Sequence, residues 1–239
     1  MGVSTGSTRP RPATSRSAPA GTSASGRTSP GPRSLAARYP AGQVTATDTD
    51  TQFLDFPPSA PVEVLRHDLT RDDFPAGTFD LLHARALLSH LPGRDHILRR
   101  AVGWVRPGGW VVVEDLSVAV VDRSPHPLLR KVTGAGEELL RATVGTDLRW
   151  AETIPRVLRD LGLEDVQATV TPGVIGDGSA THAFWKATVD QAIPALLEHG
   201  LATSGELDEL YAMLAEPGFT DMGIAMTSAR ARKPALDGF

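Results

Sequence analysis

Residues 62–115, "VEVLRHDLTRDDFPAGTFDLLHARALLSHLPGRDHILRRAVGWVRPGGWVVVED", decide how this chain folds. Runs at 62–68, 78–84 and 110–116 are short, largely apolar and rich in branched side chains, which marks them as strands. Between the last two, "RALLSHL" has a helical look, and "RDHILRRAVGWV" sets Ile97, Leu98, Ala101, Val102 and Val105 at helical spacing. The Pro and paired Gly of "RPGG", 106–109, end that helix and turn the chain into the next strand. Strands of this kind alternating with helices predict a parallel sheet covered on both faces.

The same alternation extends in both directions. Upstream, "SLAARYPAG" reads as the last turns of a helix, and "QVTATD" as a strand ending at Asp48. Downstream, Ser124 and Pro125 look like a helix cap and first position, followed by Leu128, Leu129, Val132, Leu139 and Leu140 on one face. "TIPRVLRDLGLEDVQATV" is helix, Gly162 stop and strand. Two further helical segments, about 180–199 and 204–215, precede a last strand near 218–231, the second opened by Thr203 and Glu206 in capping-box register.

Composition bounds the chemistry. The 239 residues suffice for one sizeable α/β domain, and no cysteine is present, so disulfides, thiolate zinc sites and cysteine nucleophiles are excluded. That usage suits a reducing cytoplasm, and with no apolar run of membrane length the expectation is a soluble, cytoplasmic protein without a membrane partner. Residues 1–33 carry five arginines, five prolines and no acid, whereas the whole chain has a net charge of −4. This basic segment is too poor in apolar side chains to repay ordering, and is expected to be a disordered tail ahead of a domain at 34–239. Its prolines oppose the amphipathic helix of a transit peptide, and a shifted reading frame in GC-rich DNA would produce the same composition. Five dispersed arginines without an aromatic residue make nucleic acid an unlikely partner.

Candidate site residues cluster at strand ends. An acid at the carboxyl end of a strand in a nucleotide-type α/β domain holds a ribose, because a carboxylate accepts from two hydroxyls at once; Asp48 has that position. The competing reading is that "DTDT" caps the next turn. Asp68 ends the following strand, where it would accept from an exocyclic amine or serve as an ordinary turn acid. Arg85 ends the third, facing a ligand or forming a salt bridge. Glu114 and Asp115 end the fourth and would line a pocket or solvate the strand end. His83, His90 and His96 have no metal-ligand spacing. Counting back about 20 residues from Asp48 reaches "RTSPGPRS", not a glycine-rich turn after a strand.

Taken together, "VTATDTDTQFL" at 44–54, the 62–115 stretch and "LAEPGFTDMGIAMTSARARKP" at 214–234 resemble class I S-adenosylmethionine-dependent methyltransferases of the bacterial small-molecule type. The resemblance implies a Rossmann-like α/β sheet, mostly parallel with its last strand antiparallel, and a helical insertion at about 180–215 that covers the substrate. It implies S-adenosylmethionine as cofactor and methyl transfer to a small organic molecule. Asp48 and Thr49 would hold the cofactor's ribose side, Asp68 and Leu69 would flank its adenine, and Arg85 would lie near its methionine part or the substrate. No catalytic residue is named, since methyl transfer depends mainly on alignment. Family members open with a strand and a glycine-rich loop; neither is visible here, so the sheet is expected to lack its first strand. An alternative is a non-catalytic or decayed methyltransferase-like protein acting by partner binding. A nicotinamide-dependent oxidoreductase would need G-x-G-x-x-G between strand and helix, which is absent.

Overall fold

The branched, apolar runs form the interior of one mixed sheet. The computed structural model describes residues 2–7, 31–57 and 59–235. Strands β1 (Gly2–Ser7), β2 (Gln43–Asp48), β3 (Val62–Arg66), β4 (Phe79–Arg85), β5 (Val105–Ser117), β6 (Glu164–Ile175) and β7 (Asp221–Arg232) lie in the order β3-β2-β1-β4-β5-β7-β6. Parallel pairing joins β2 to β3 and β4 to β5, while β7 runs antiparallel between β5 and β6. The expected α/β class, the antiparallel last strand and the helical insertion before it are all present.

The expectation of a missing first strand is corrected. Gly2–Ser7 fills the slot between β2 and β4, antiparallel to both: Val3 pairs with Thr47 on one side and Ala84 on the other. Two neighbouring strands present unpaired N–H and C=O groups to that slot, and any extended segment that satisfies both rows closes the sheet, whichever way it runs. Pairing made by backbone needs no apolar run, which is why the segment did not read as a strand. Residues 8–30 of the expected disordered tail lie outside the described residues, and α1 (Pro32–Arg38) already begins inside it.

On one face of the sheet Leu82, Ala84, Val111, Val113, Ala229 and Ala231 pack against helices α2 (Arg94–Trp104) and α4 (Ile154–Asp160) through Ile97, Leu98, Ala101, Val157 and Leu158. The apolar stripe predicted for 94–105 is therefore the one that is buried. Helices α3 (Pro127–Val144), α5 (Ala180–Glu198) and α6 (Ser204–Leu214) build a second core around Leu129, Val132, Trp185, Leu196 and Leu210. The capping box of α6 forms as expected: Glu206 N donates to Thr203 Oγ1, and Glu206 Oε2 accepts from Thr203 N at 3.0 Å.

Three local expectations shift. "RALLSHL" is only a short 3-10 turn, Leu88–His90. Helix α3 opens on Pro127, not Pro125, because Ser124 Oγ is engaged with Asp221 across the chain. "RPGG" lies within β5, beside a register shift in its pairing with β4. There Gly109 is required by space: a Cβ would fall 2.6 Å from Val105 and 2.8 Å from the Asp80 carbonyl oxygen.

Candidate functional site

Register places the polar strand ends in one transverse row. Arg66 pairs with Asp48, Arg85 with both Gly2 and Glu114, Glu114 with Ser228, and Ser228 with Thr169. Because Val3 stands between Thr47 and Ala84, the next row sets Asp48 and Arg85 on either side of Gly2, a residue with no side chain. Side chains in register share a face, and this row lies opposite the Leu82–Val111 core.

Asp48 closes β2 in an Asx-type turn, its Oδ1 accepting from the Asp50 amide at 3.1 Å. The His67 amide donates to the Asp48 carbonyl at 3.0 Å, tying the ends of β2 and β3 together. Asp68 closes the next turn: its Oδ1 accepts from the amide and the hydroxyl of Thr70, at 2.8 and 2.7 Å. Those hydrogen bonds hold its carboxyl below the usual carboxylate range, with Arg71 adding to the effect. The structure thus brings Asp48, Thr49 and Asp68 to one edge. Leu69 is placed differently, since its side chain is buried in the main core with Leu82 and Leu98.

Arg85 and Glu114 enter a cavity of about 550 Å³ at the carboxyl ends of β4 and β5. Its walls come from β6 and β7 (Thr169, Thr171, Gly173, Met226, Ser228) and from the first turns of α5 (Thr181, Phe184). Helix α5 approaches closely because residue 173 is glycine; a Cβ there would meet Thr181 Cγ2 at 2.1 Å and the Ile224 carbonyl oxygen at 3.0 Å. His83 stands behind Glu114, Nε2 to Oε2 at 3.0 Å, with both side chains buried. Ala86, next along the cavity wall, has φ +47°, and its amide donates to the Glu114 carbonyl at 2.8 Å. A non-glycine residue held in this region stores strain of order 1 kcal/mol.

The two acids of β5 separate by strand parity. Glu114 faces the cavity, whereas Asp115 points to the other face and accepts from Ser89. His90 is half-buried beside Thr146, its Nδ1 2.9 Å from Oγ1, and burial lowers its pKa. Among the described residues there is no group of three or more metal-ligating side chains, and no helix long and apolar enough to cross a membrane.

The cavity wall from β6 and β7 was not anticipated. The available signal was alternation: Thr169 and Thr171, with Met226 and Ser228, are every-second-residue positions on paired strands. Buried His67, stacked on Phe74 with ring centroids 4.4 Å apart, was also missed, since a lone histidine at a strand end carries no sequence signature.

Residues 25–113 match the family model described as a methyltransferase domain, and the strand order with β7 antiparallel agrees with the class I sheet. This part of the chain is thus similar to a methyltransferase domain. Phosphoethanolamine N-methyltransferase 3 of Arabidopsis thaliana is 30% identical over 101 residues, covering 42% of this chain and 19% of the relative. Methyltransferase str3 of Strobilurus tenacellus is 46% identical over 43 residues, covering 18% of this chain and 16% of that protein. The match thus spans a fifth or less of each relative's length. Among solved structures, the YcgJ protein of a Bacillus aligns with a TM-score of 0.47 at 13% identity over 74% of this chain and 73% of its own.

For a methyltransferase domain the polar row separates into two parts. On the β2–β3 side, acceptor-only carboxylates at strand ends suit the hydroxyls of a nucleoside. At the centre, β1 arrives reversed. Its Gly2 end meets Asp48 and Arg85, and its Ser7 end leaves at the opposite edge beside Gln43. At this edge Gly2 contributes only backbone.

Proposed function

We propose that the chain transfers a methyl group from S-adenosylmethionine to a small organic molecule held in the cavity between β4, β5, β7 and α5. The observation that carries this reading is one polar row in which the strand-end acid Asp48 is followed, across β1, by Arg85 and Glu114 in the wall of a cavity of about 550 Å³. Support comes from the methyltransferase family match at 25–113, which takes in β2, β3 and β4 and most of β5.

When bound, the cofactor supplies an electrophilic methyl on a sulfonium, which the acceptor's lone pair displaces in line. The chain's own residues bind and align. Asp48 accepts from ribose hydroxyls, with Thr49 beside it, and Asp68 ends the neighbouring strand where the base would lie. Leu69 holds that turn against the core. Arg85 and the hydroxyls of Thr169, Thr171 and Ser228 orient the acceptor, and Leu116 and Met226 supply apolar wall. No acid or base is assigned to the transfer itself.

A second reading is a binding protein on the same scaffold, because no glycine-rich turn after a strand stands about 20 residues before Asp48 in the sequence. Calorimetric titration of the full chain with S-adenosylhomocysteine, with circular dichroism confirming the fold, separates the two. Binding supports methyl transfer; a folded chain without binding overturns it in favour of partner binding.

A further inference from the structure

Beside the acceptor cavity lies a second one, of about 330 Å³, between α3 and α5. Buried side chains form its floor: Val118, Val132, Leu148, Trp185 and Leu196. The polar groups of its lining are committed or turned away. Thr143 Oγ1 donates to the Leu139 carbonyl at 2.7 Å and Thr188 Oγ1 to the Phe184 carbonyl at 2.8 Å, each within its own helix. Glu137 holds Arg149 through both oxygens, Thr133 Oγ1 is inaccessible, and Gln191 stands at the exposed rim. What faces the space is hydrocarbon, and its volume is at the small end of ligand pockets. Gly136 lines the same space from the middle of α3. Glycine inside a helix is less favourable than alanine, and a Cβ at 136 would meet no neighbouring atom within 4 Å among the described residues, so neither the turn nor the packing calls for it. A molecule filling the space accounts for it.

Two elements run from one cavity to the other. On β7, Ile224, Met226 and Ser228 share a face, and Ile224 is a wall of both cavities. On α5, Thr181 and Phe184 line the acceptor cavity, and Trp185, Thr188 and Ala192 continue along the helix over the second. From this continuity we infer that the acceptor is an uncharged molecule with a long hydrocarbon part, its polar end among Thr169, Thr171 and Ser228 and its hydrocarbon beyond Ile224, against Gly136 and Ala192. The inference rests on the methyltransferase reading and deepens it by naming the acceptor class. A charge on the hydrocarbon end would be taken out of water with no partner in the α3–α5 space, so that end is apolar throughout.

The test titrates the full chain by calorimetry with 4-ethylphenol and 4-hexylphenol, which are uncharged at about pH 7.5 and differ only in hydrocarbon. Wild type is expected to bind 4-hexylphenol at least about 30-fold more tightly, against roughly 250-fold for four methylenes fully buried. Gly136→Leu places its side chain in the space and raises helix propensity. It is expected to melt at or above the wild-type temperature and to cut the preference to about threefold or less, with 4-ethylphenol affinity unchanged. Ala192→Phe fills the space from the opposite wall with the same expected result, and serves should Gly136→Leu not fold. Met226→Trp, which blocks the acceptor cavity alone, is expected to weaken both phenols by a similar factor of at least about ten. Equal affinity of wild type for the two probes, or a preference that survives in the filled variants, overturns the inference. So does 4-hexylphenol binding that persists in Met226→Trp, since the α3–α5 cavity is then a separate site. Titration with S-adenosylhomocysteine keeps the two claims apart. A Gly136-dependent preference without cofactor binding sinks methyl transfer but not the two-cavity ligand; cofactor binding without the preference does the reverse.

Discussion

Ser89 donates twice to Asp115, its amide to Oδ2 at 2.9 Å and its hydroxyl to Oδ1 at 2.7 Å, and neither residue has measurable exposure. This pair anchors the turn after β4 to the end of β5. It therefore fixes the strained Ala86 and, through it, the direction in which Arg85 leaves the strand. The bond is charge-assisted and dry, so it exerts more than its geometry alone conveys.

Asp115→Ala is expected to lower stability by about 3 kcal/mol, since it leaves the Ser89 amide and hydroxyl buried without an acceptor. Asp115→Asn keeps one acceptor oxygen and should lose roughly half as much. Urea unfolding followed by circular dichroism measures both. A loss within experimental error for Asp115→Ala means that the Ser89 turn is not held by this carboxylate.

Much of this was legible beforehand. The alternation in 62–115 and the spacing of Ile97, Leu98, Ala101 and Val102 carried the sheet and its main core, because apolar periodicity is a local property of sequence. Asp48, Asp68, Arg85 and Glu114 were recognisable as strand ends, and strand ends meet at one edge of a parallel sheet whatever the details. Non-local pairing was not legible. Nothing in "GVSTGS" points to the centre of a sheet, as its role is to supply backbone groups to two strands that come later in the chain. The parity that sends Glu114 to the cavity and Asp115 to the core likewise depends on register, which one residue of slip would invert.

The placement of β1 leads to the second prediction. Thr5→Pro removes an amide and fixes φ in a strand with neighbours on both sides, Thr45 and Leu82. Proline in a central strand interrupts the ladder. The variant is expected to lose cooperative thermal unfolding or to melt at a much lower temperature, while Thr5→Val melts as wild type or above. Identical melting curves for the proline variant and wild type would show that Gly2–Ser7 does not complete the sheet.

A third prediction concerns pH. His67 is buried among Phe74, Trp104 and Phe79, and both of its ring nitrogens lack a hydrogen-bond partner. Burial lowers its pKa, as it does for His90, against the opposing pull of Asp72, Asp68 and Asp73. The folded state therefore keeps these rings neutral while the unfolded chain takes up protons as pH falls below about 6.5. Stability is complete above that value and declines below it, toward the folded pKa values. The carboxylates with lowered pKa, such as Asp122 and Asp190, act separately and only in the acid range. His67→Phe preserves the stacking and removes the two unpaired nitrogens, so it should unfold at higher urea concentration, with a gain that grows as pH falls below about 6.5. A pH profile parallel to that of wild type would remove His67 as the source.

The fourth prediction addresses the cofactor side of the row. Asp48 Oδ1 already accepts from the Asp50 amide, so the carboxylate is oriented before any ligand arrives. Asp48→Asn keeps that turn but replaces one acceptor oxygen with a donor, which cannot receive a ribose hydroxyl. Affinity for S-adenosylhomocysteine is expected to fall about 10- to 100-fold, the equivalent of about 1.5–3 kcal/mol for a hydrogen bond to a charged group. Asp68→Asn should matter less, because two of the bonds that Asp68 accepts come from Thr70 and their loss acts on the turn first. The comparison is made by calorimetry at matched protein fold, checked by circular dichroism. Should Asp48→Asn bind as wild type does while Asp68→Asn fails, the ribose lies one strand further out than the row implies, and the assignment of β2 as the ribose-binding strand falls.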